Sequence, residues 1–337
     1  MSSKIKLAQI GIGRWGKNLL RNYSQMPEVE VKVVCDFNEQ LIDAAKQTYP
    51  NLKFTLKDED IFNDPEIQAL VIATQASTHF EIAKKALERG IHVFIEKPIV
   101  LKTEDLIELG KIAKAKNLIL MEGHLLLYHG AVIAMQQAIQ KGLIGDLTHL
   151  YFRRTNLGAI RFKENAMWDF APHDFSVVYF LYDQNPTVIR SEGGAYFQKG
   201  IEEVVFTTVR FKSGVIAHLH ESWIDPFKER KIIAVGTKGM LVLDELATDG
   251  CIKWVKKHVE HNEHFKHEVE RFKYVDEGVE VLPYDTREPL RMECEHFIES
   301  ILNKKTPKSG YENSLRVLKT LLYSQQSIEK QGEAIKW

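Results

Sequence analysis

The 337-residue chain is predicted to begin with an α/β domain on a doubly wound parallel sheet. An α+β domain with a mostly antiparallel, open sheet is predicted to follow. Three observations predict this. Apolar runs alternate with helical patterns up to about residue 122. Strand patterns then succeed one another from 187 to 243. A glycine-rich turn, Gly11-Ile12-Gly13-Arg14-Trp15-Gly16, stands directly behind the apolar run Ile5–Ile10 and before Lys17-Asn18-Leu19-Leu20. In a strand–turn–helix of this kind Gly11 permits the tight turn and Gly13 lets the backbone approach a pyrophosphate. Gly16 lets helix and strand pack closely. The helix N-terminus then presents free N–H groups and a positive dipole end to phosphates. The first domain is therefore predicted to be a Rossmann domain whose loop 11–16 holds a dinucleotide.

The second strand, Val29–Cys35, ends in Asp36, twenty residues past Gly16. A carboxylate there accepts hydrogen bonds from an adenosine ribose 2′-OH and repels a 2′-phosphate, so NAD is expected over NADP. The plain alternative is that Asp36 starts a turn or caps the next helix. Residues 41–49 are predicted helical, and 69–73 form a short buried parallel strand. Residues 78–89 are predicted as a helix with Thr78 as N-cap and Gly90 as its stop. A strand over 92–95, a helix over Thr103–Lys116 ended by Asn117, and a strand over 119–121 complete the sheet. Ligands of such sheets lie at the carboxyl ends of the strands. Thr74 and His79, after the strand 69–73, and Glu96 and Lys97, after 92–95, are assigned to that cleft with the glycine loop and Asp36. His79 has the alternative of merely lining the first helical turn.

The pattern changes after Gly123. Helix is predicted over 130–141, strand over 147–154 and helix over 169–182. Strands follow over 188–197, 204–211, 215–223, 231–235 and 240–243, with hairpin turns at Lys212-Ser213-Gly214 and Gly236-Thr237-Lys238-Gly239. Helices over 290–302 and 313–329 end the chain. The expected domains are 1–123, binding NAD, and 124–337, binding substrate and mediating oligomerisation, with the last helices able to pack back on the first domain.

Bulk properties narrow the function classes. Lys plus Arg is 45 and Asp plus Glu 46, so no charge excess calls for nucleic acid or an anionic membrane surface. No apolar run is long enough to span a bilayer and no signal peptide is visible, so a cytoplasmic location is expected. Cys35, Cys251 and Cys294 are far apart and form no CxxC, which suits free thiols in a reducing compartment.

Glu96-Lys97-Pro98 follows the strand 92–95, and Trp168-Asp169-Phe170-Ala171-Pro172-His173-Asp174 opens a helix in the second half. With the glycine turn and the antiparallel sheet, these stretches resemble the glucose-fructose oxidoreductase / inositol dehydrogenase / MocA family over essentially the whole chain. The resemblance implies that Lys97 lies between nicotinamide and substrate and that the Lys97–Pro98 bond is cis. It also implies that Asp169 and His173 form the family's second signature. Their spacing of four puts them on one helix face. Pro172 is tolerable only near a helix start, so His173 is expected in the first turn, where the dipole keeps the ring neutral. Lys97 has the plain alternative of an ordinary surface lysine, Asp169 that of an N-cap, and His173 that of a core or capping histidine.

Finer stretches point to a branch. Gly123-His124-Leu125-Leu126-Leu127-Tyr128-His129, Arg154-Thr155-Asn156-Leu157-Gly158 and Ser222-Trp223-Ile224-Asp225-Pro226 are similar to nucleotide-sugar 3-dehydrogenases acting on UDP-N-acetylglucosaminuronate or UDP-N-acetylglucosamine. Two departures stand out. The chain has Asn165-Ala166-Met167-Trp168 where many members have glycines, and Gly130 where the branch usually has proline, a change expected to affect loop stiffness. The resemblance implies oxidation of a ring hydroxyl, at C3, of a UDP-sugar by NAD. His173 is the base, Lys97 stabilises the reacting oxygen and Asp169 orients the cluster. Arg154, Arg161, Lys228 and Arg230 are candidates for a diphosphate or uronate carboxylate, and Tyr128 and Asn156 for sugar hydroxyls. Each has the alternative of an ordinary structural or surface role. In this branch 2-oxoglutarate can reoxidise NADH in place. The open sheet suggests a homodimer or homotetramer.

Histidines 258, 261, 264 and 267 recur among Lys and Glu, but zinc needs ligands converging from a fixed scaffold, so no metal is expected. Two rival functions remain open: a dehydrogenase of a free sugar or inositol, and a non-catalytic NAD(H) sensor. The presence of both Lys97 and His173 speaks against the sensor, since binding alone needs neither.

Overall fold

A computed structural model describes residues 4–248, 250–264 and 267–337. Residues 1–3, at the head of the first expected domain, lie outside the described residues. The chain divides into two compact units, Met1–Tyr128 with Arg287–Leu318, and His129–Thr286 with Lys319–Trp337.

The first unit alternates strand and helix. Its elements are β1 (Ile5–Ile10), α1 (Gly16–Ser24), β2 (Val29–Cys35), α2 (Glu39–Thr48), β3 (Lys53–Thr55), α3 (Glu59–Phe62), β4 (Ala69–Ile72), α4 (Ala76–Glu88), β5 (His92–Glu96), α5 (Thr103–Lys116) and β6 (Leu120–Gly123). The sheet order is β3-β2-β1-β4-β5-β6, with every neighbouring pair parallel. The order reverses between β1 and β4, which places a ligand crevice at their carboxyl ends. All of β4 is buried and apolar, because both faces of the parallel sheet are covered at this central strand. β3 and α3 escape the sequence patterns because three or four residues show no periodicity. Helix α4 starts at Ala76 behind Gln75, not at Thr78. The Thr78 hydroxyl donates to the Gln75 carbonyl at 2.8 Å instead of capping.

Residues 287–318 return to this unit. A 3₁₀ turn, Leu125–Tyr128, packs against the helix over Pro289–Asn303, which also packs on α1. The Tyr128 hydroxyl lies 3.0 Å from Ser309 Oγ, and Phe94 meets Phe297 edge to face at 5.7 Å. The compact unit thus runs on to Tyr128.

The second unit holds α6 (Gly130–Gln140), β7 (Leu147–Leu157), α7 (Ala166–Leu181), β8 (Pro186–Gly194), β9 (Val204–Phe211), β10 (Ile216–Ser222), β11 (Ile224–Gly236), β12 (Gly239–Asp244), β13 (Ile252–His261) and β14 (Phe272–Val281). The helix over Pro289–Asn303 is α8, and α9 (Tyr311–Glu329) and β15 (Ile335–Lys336) end the chain. The sheet order is β14-β13-β12-β11-β7-β10-β9-β8-β15. The β7–β10 pair is parallel and the others antiparallel. Helix α7 packs on β7, β9 and β10, and α6 on β12. β9 accordingly alternates buried and more exposed positions, the signature of a sheet with one covered face. β13 and β14 are additional strands; their charged, largely exposed residues hide the alternation that would mark them in sequence. His258 and His261 lie on β13 and His264 and His267 in the connection after it. No cluster of metal-ligating side chains occurs among the described residues.

Gly130 opens α6, where proline would be tolerated, but a Cβ there would come within 1.9 Å of the Asp285 carbonyl oxygen. Packing against the Asp285 backbone, not loop stiffness, accounts for this glycine. No described helix is long and apolar enough to cross a membrane.

Candidate active site

The glycine turn is built from two crowded positions and one open one. Gly11 has φ +94°, and a Cβ on it would meet the Ala73 carbonyl oxygen at 2.5 Å. A Cβ on Gly16 would meet the Gly11 carbonyl oxygen at 2.2 Å, whereas one on Gly13 would meet nothing within 4 Å. The backbone is therefore locked beneath the turn and clear above it, which is the space a pyrophosphate needs. Gln9, inside β1, donates its amide to Gly11 O at 2.8 Å and Gly16 O at 2.7 Å and so pins both ends of the turn. A polar residue at a buried position of an otherwise mostly apolar strand was the signal available in sequence.

A cavity of about 520 Å³ opens beside this turn, lined by Ile10, Gly11, Gly13, Asp36, Phe37, Ala73, Thr74, Gln75 and Thr78. Asp36 accepts hydrogen bonds from Ile12 N at 2.8 Å and Asn38 N at 2.9 Å. It thus ties the glycine turn to β2 and starts the turn into α2, while Asn38 caps that helix. Each carboxylate oxygen keeps a lone pair for a ribose hydroxyl. Ile12 joins the core with Leu20, Val34 and Ile42, Arg14 is exposed, and Trp15 precedes α1 without a side-chain cap. The residues present fit NAD: clear space above Gly13, a helix N-terminus at Gly16 and an acid at the cavity wall.

Lys97 follows β5 in a turn with a cis Lys97–Pro98 peptide. Glu96 packs its carboxyl against Gly123, where a Cβ would lie 3.2 Å from both its oxygens. Burial pushes the Glu96 carboxyl up to about 7, against the opposing pull of Lys97 and of a hydrogen bond from Trp15. The folded state holds its proton more tightly, so this contribution to stability is complete below pH 4.5 and is lost as pH rises through about 7. Glu96→Gln is expected to remove up to about 3 kcal/mol of pH dependence between pH 5 and 8. Urea midpoints of both proteins across that range check it, and equal slopes would refute it.

His79 is buried, with Nδ1 2.9 Å from the Pro98 carbonyl oxygen and Nε2 3.3 Å from that of Thr74. Burial lowers its pKa and keeps the ring neutral. Glu122, at the end of β6, accepts from Ile99 N at 2.9 Å, with its other oxygen 3.0 Å from His124 Nε2. Burial opposes the Glu122 charge, but His124, Ser314 and the Ile99 amide outweigh it and hold the carboxyl below its ordinary value.

In the second unit the head of α7 carries the other signature. Asn165 is the N-cap; its side chain accepts from Trp168 N at 3.1 Å and donates to Glu202 and Gln325. The helix therefore starts ahead of Asp169, which is not the cap. Pro172 sits inside the helix and His173 beyond its first turn, correcting the expected placement. The dipole end does not reach that far, so it does not account for a neutral ring. Asp169 and His173 remain one turn apart on the same face.

Around them, Arg161 Nε lies 3.3 Å from Asp169 Oδ2. Arg230 stacks 5.3 Å from the Phe170 ring, donates to the Thr155 carbonyl at 2.8 Å and bonds the Asn156 side chain. Two candidates are drawn into structural bonds instead. Arg154 is buried and gives Nε and Nη2 to Asp174 at 2.9–3.1 Å, with Glu245 at 3.3 Å. Burial works against the Arg154 charge, but the two carboxylates outweigh it and hold its pKa above its ordinary value. Tyr128 is buried in the first unit against Ser309, and Lys228 is exposed. Glu221 on β10 is fully buried beside Asp174, and burial lifts its carboxyl well above the ordinary range.

Comparison with known proteins matches both units. Residues 5–124 match the oxidoreductase family with an NAD-binding Rossmann fold, GFO/IDH/MocA, and residues 132–242 match the GFO/IDH/MocA C-terminal domain. A 1,5-anhydro-D-fructose reductase of Ensifer adhaerens is 29% identical over 196 residues, 55% of this chain and 59% of that enzyme. The scyllo-inositol 2-dehydrogenase (NAD(+)) of Bacillus subtilis is 25% identical over 91% of this chain and 89% of its own. The crystal structure of UDP-N-acetylglucosamine 3-dehydrogenase GnnA from Acidithiobacillus ferrooxidans superposes with a TM-score of 0.81 at 20% identity, covering 96% of this chain and 97% of that one, a likeness of fold. Glycine turn, Lys97 turn, α7 signature and both domain matches agree, and the chain belongs to the GFO/IDH/MocA family of oxidoreductases, with an NAD-binding Rossmann domain as its first unit.

Proposed function

We propose that this protein oxidises a ring hydroxyl, at C3, of a UDP-N-acetyl sugar or sugar acid to the 3-keto sugar. NAD, held by residues 11–16, Asp36 and Thr74, supplies the hydride acceptor. His173 takes the hydroxyl proton, and Asp169 orients it from the preceding turn of α7. Lys97 donates to the reacting oxygen and stabilises its developing negative charge. Arg161 and Arg230, set around the Asp169–Phe170 segment, supply the cations that a diphosphate or uronate carboxylate requires.

The observation that carries this reading is that Arg161 and Arg230 gather about the head of α7 with Asn156, Asp169 and His173, the last three in stretches that resemble the UDP-sugar branch. The fold likeness to a UDP-N-acetylglucosamine 3-dehydrogenase is in keeping with it. A free polyol is the second reading, favoured by the near full-length match to a scyllo-inositol 2-dehydrogenase.

A mass-spectrometric product screen with NAD separates them. UDP-N-acetylglucosaminuronate and UDP-N-acetylglucosamine are paired with free sugars and inositols, each with and without 2-oxoglutarate. Loss of two hydrogens from one UDP-sugar is the expected result. Loss only with 2-oxoglutarate present would mean that the cofactor is reoxidised in place. Oxidation of a free polyol alone would overturn the UDP-sugar reading.

A further inference from the structure

The turn Lys97-Pro98-Ile99 is held from two sides by side chains of other elements. From α4, His79 Nδ1 reaches the Pro98 carbonyl at 2.9 Å. From β6, Glu122 Oε1 accepts the Ile99 N–H at 2.9 Å. Ahead of Lys97, the β5–β6 ladder runs to its last pair, Glu96 with Gly123. Lys97 therefore stands between the end of a ladder and two consecutive residues whose backbone groups are each bonded. Both clamp residues are buried, His79 at 1% and Glu122 at 2% exposure, so water does not compete for these bonds. Each has a further polar neighbour. His79 Nε2 faces the Thr74 carbonyl at 3.3 Å, and Thr74 lines the cofactor cavity. Glu122 Oε2 faces His124 Nε2 at 3.0 Å.

We propose that His79 and Glu122 are positioning residues that set the Lys97 side chain through the Pro98 carbonyl and the Ile99 amide. The proposal rests on the reading of Lys97 as a residue of the reaction. A neutral imidazole has one proton for two carbonyls; the shorter contact assigns it to Nδ1 and Pro98, so the ring's donor serves the turn. Glu122 contributes reach, as an acceptor at the Ile99 amide, and not charge at the reacting atoms.

The test sets reach against charge. Glu122→Gln keeps an acceptor at full length and loses the charge. Glu122→Asp keeps the charge and falls short of the amide. Positioning predicts that Glu122→Gln loses no more than about threefold in kcat, whereas Glu122→Asp and Glu122→Val lose about tenfold or more. The Kd for NAD stays within about twofold in all three. At the other anchor, His79→Asn, whose amide nitrogen replaces Nδ1, is expected to stay within about threefold, and His79→Leu to lose about tenfold. A larger loss in Glu122→Gln than in Glu122→Asp would overturn the proposal, as would unchanged kcat in Glu122→Asp and His79→Leu.

Hydrogen exchange at the Ile99 amide supplies a readout that needs no turnover. It is expected to quicken about tenfold in Glu122→Asp and stay near wild type in Glu122→Gln. Wild-type protein inactive on every substrate of the panel would sink the reading of Lys97, while unchanged Ile99 exchange in Glu122→Asp would sink the clamp itself.

Discussion

His173→Asn is expected to lower kcat by roughly 10²–10⁴-fold, the usual contribution of a general base. The substitution leaves α7 capped by Asn165 and anchored through Asp174, because neither bond uses the His173 side chain. It also leaves the cofactor cavity intact, whose lining lies wholly in the first unit. The Kd for NAD, followed by fluorescence titration, should therefore stay within about twofold while steady-state turnover collapses. Turnover within a few-fold of wild type would remove His173 from the mechanism and leave it the role of a helix residue.

Asp174→Ala is expected to be the most destabilising of the substitutions considered. It strands the Arg154 guanidinium, which is 8% exposed and gives most of its bonds to that carboxylate. Removing one partner of a buried pair costs about 3–5 kcal/mol, and the remaining Glu245 contact puts the expectation near the lower end. For a unit of this size the Tm should fall by roughly 10 °C. The pair ties α7 to β7, so kcat should fall as well, through displacement of Asp169 and His173. Replacing both partners, Arg154→Met with Asp174→Leu, should recover part of the stability, since neither member of the buried pair is then left alone and only the Glu245 contact is lost. A double-mutant cycle by thermal melts checks it, and additive losses would show that the two side chains do not act as a pair.

Much of this molecule was legible from sequence, and the reasons are local. The glycine turn was readable because a tight turn admits few residue types, and Gly11 does take a positive φ. Strand β4 was readable because both sheet faces cover it and it is apolar throughout, and β1 and β2 because apolar residues still dominate their buried positions. Helix α5 was readable to its end, since Asn117 adopts the left-handed conformation that closes it. Strands β13 and β14 were not, because charged exposed residues carry no hydrophobic period. The sequence places the start of α7 too late, because Pro172 reads as the mark of a first turn. A cap that also bonds Glu202 and Gln325 let the helix begin earlier and carry the proline inside.

By itself the sequence determined the family, the dinucleotide turn and the motif residues Lys97, Asp169 and His173, because these depend on residue type and short spacing. Tertiary structure alone decided which polar groups are spent on holding the fold. Arg154 and Tyr128 look like ligand contacts in a string of letters, yet Asp174 and Ser309 claim them, from 20 and 181 residues away. Gln9 and Glu122 look ordinary, yet they hold the glycine turn and the Lys97 turn, and His79, assigned from sequence to the cofactor cleft, bonds the Pro98 carbonyl. The physical reason is burial. A polar group taken out of water must find its partner wherever the packed chain brings one, and that partner is set by the fold, not by neighbours in sequence.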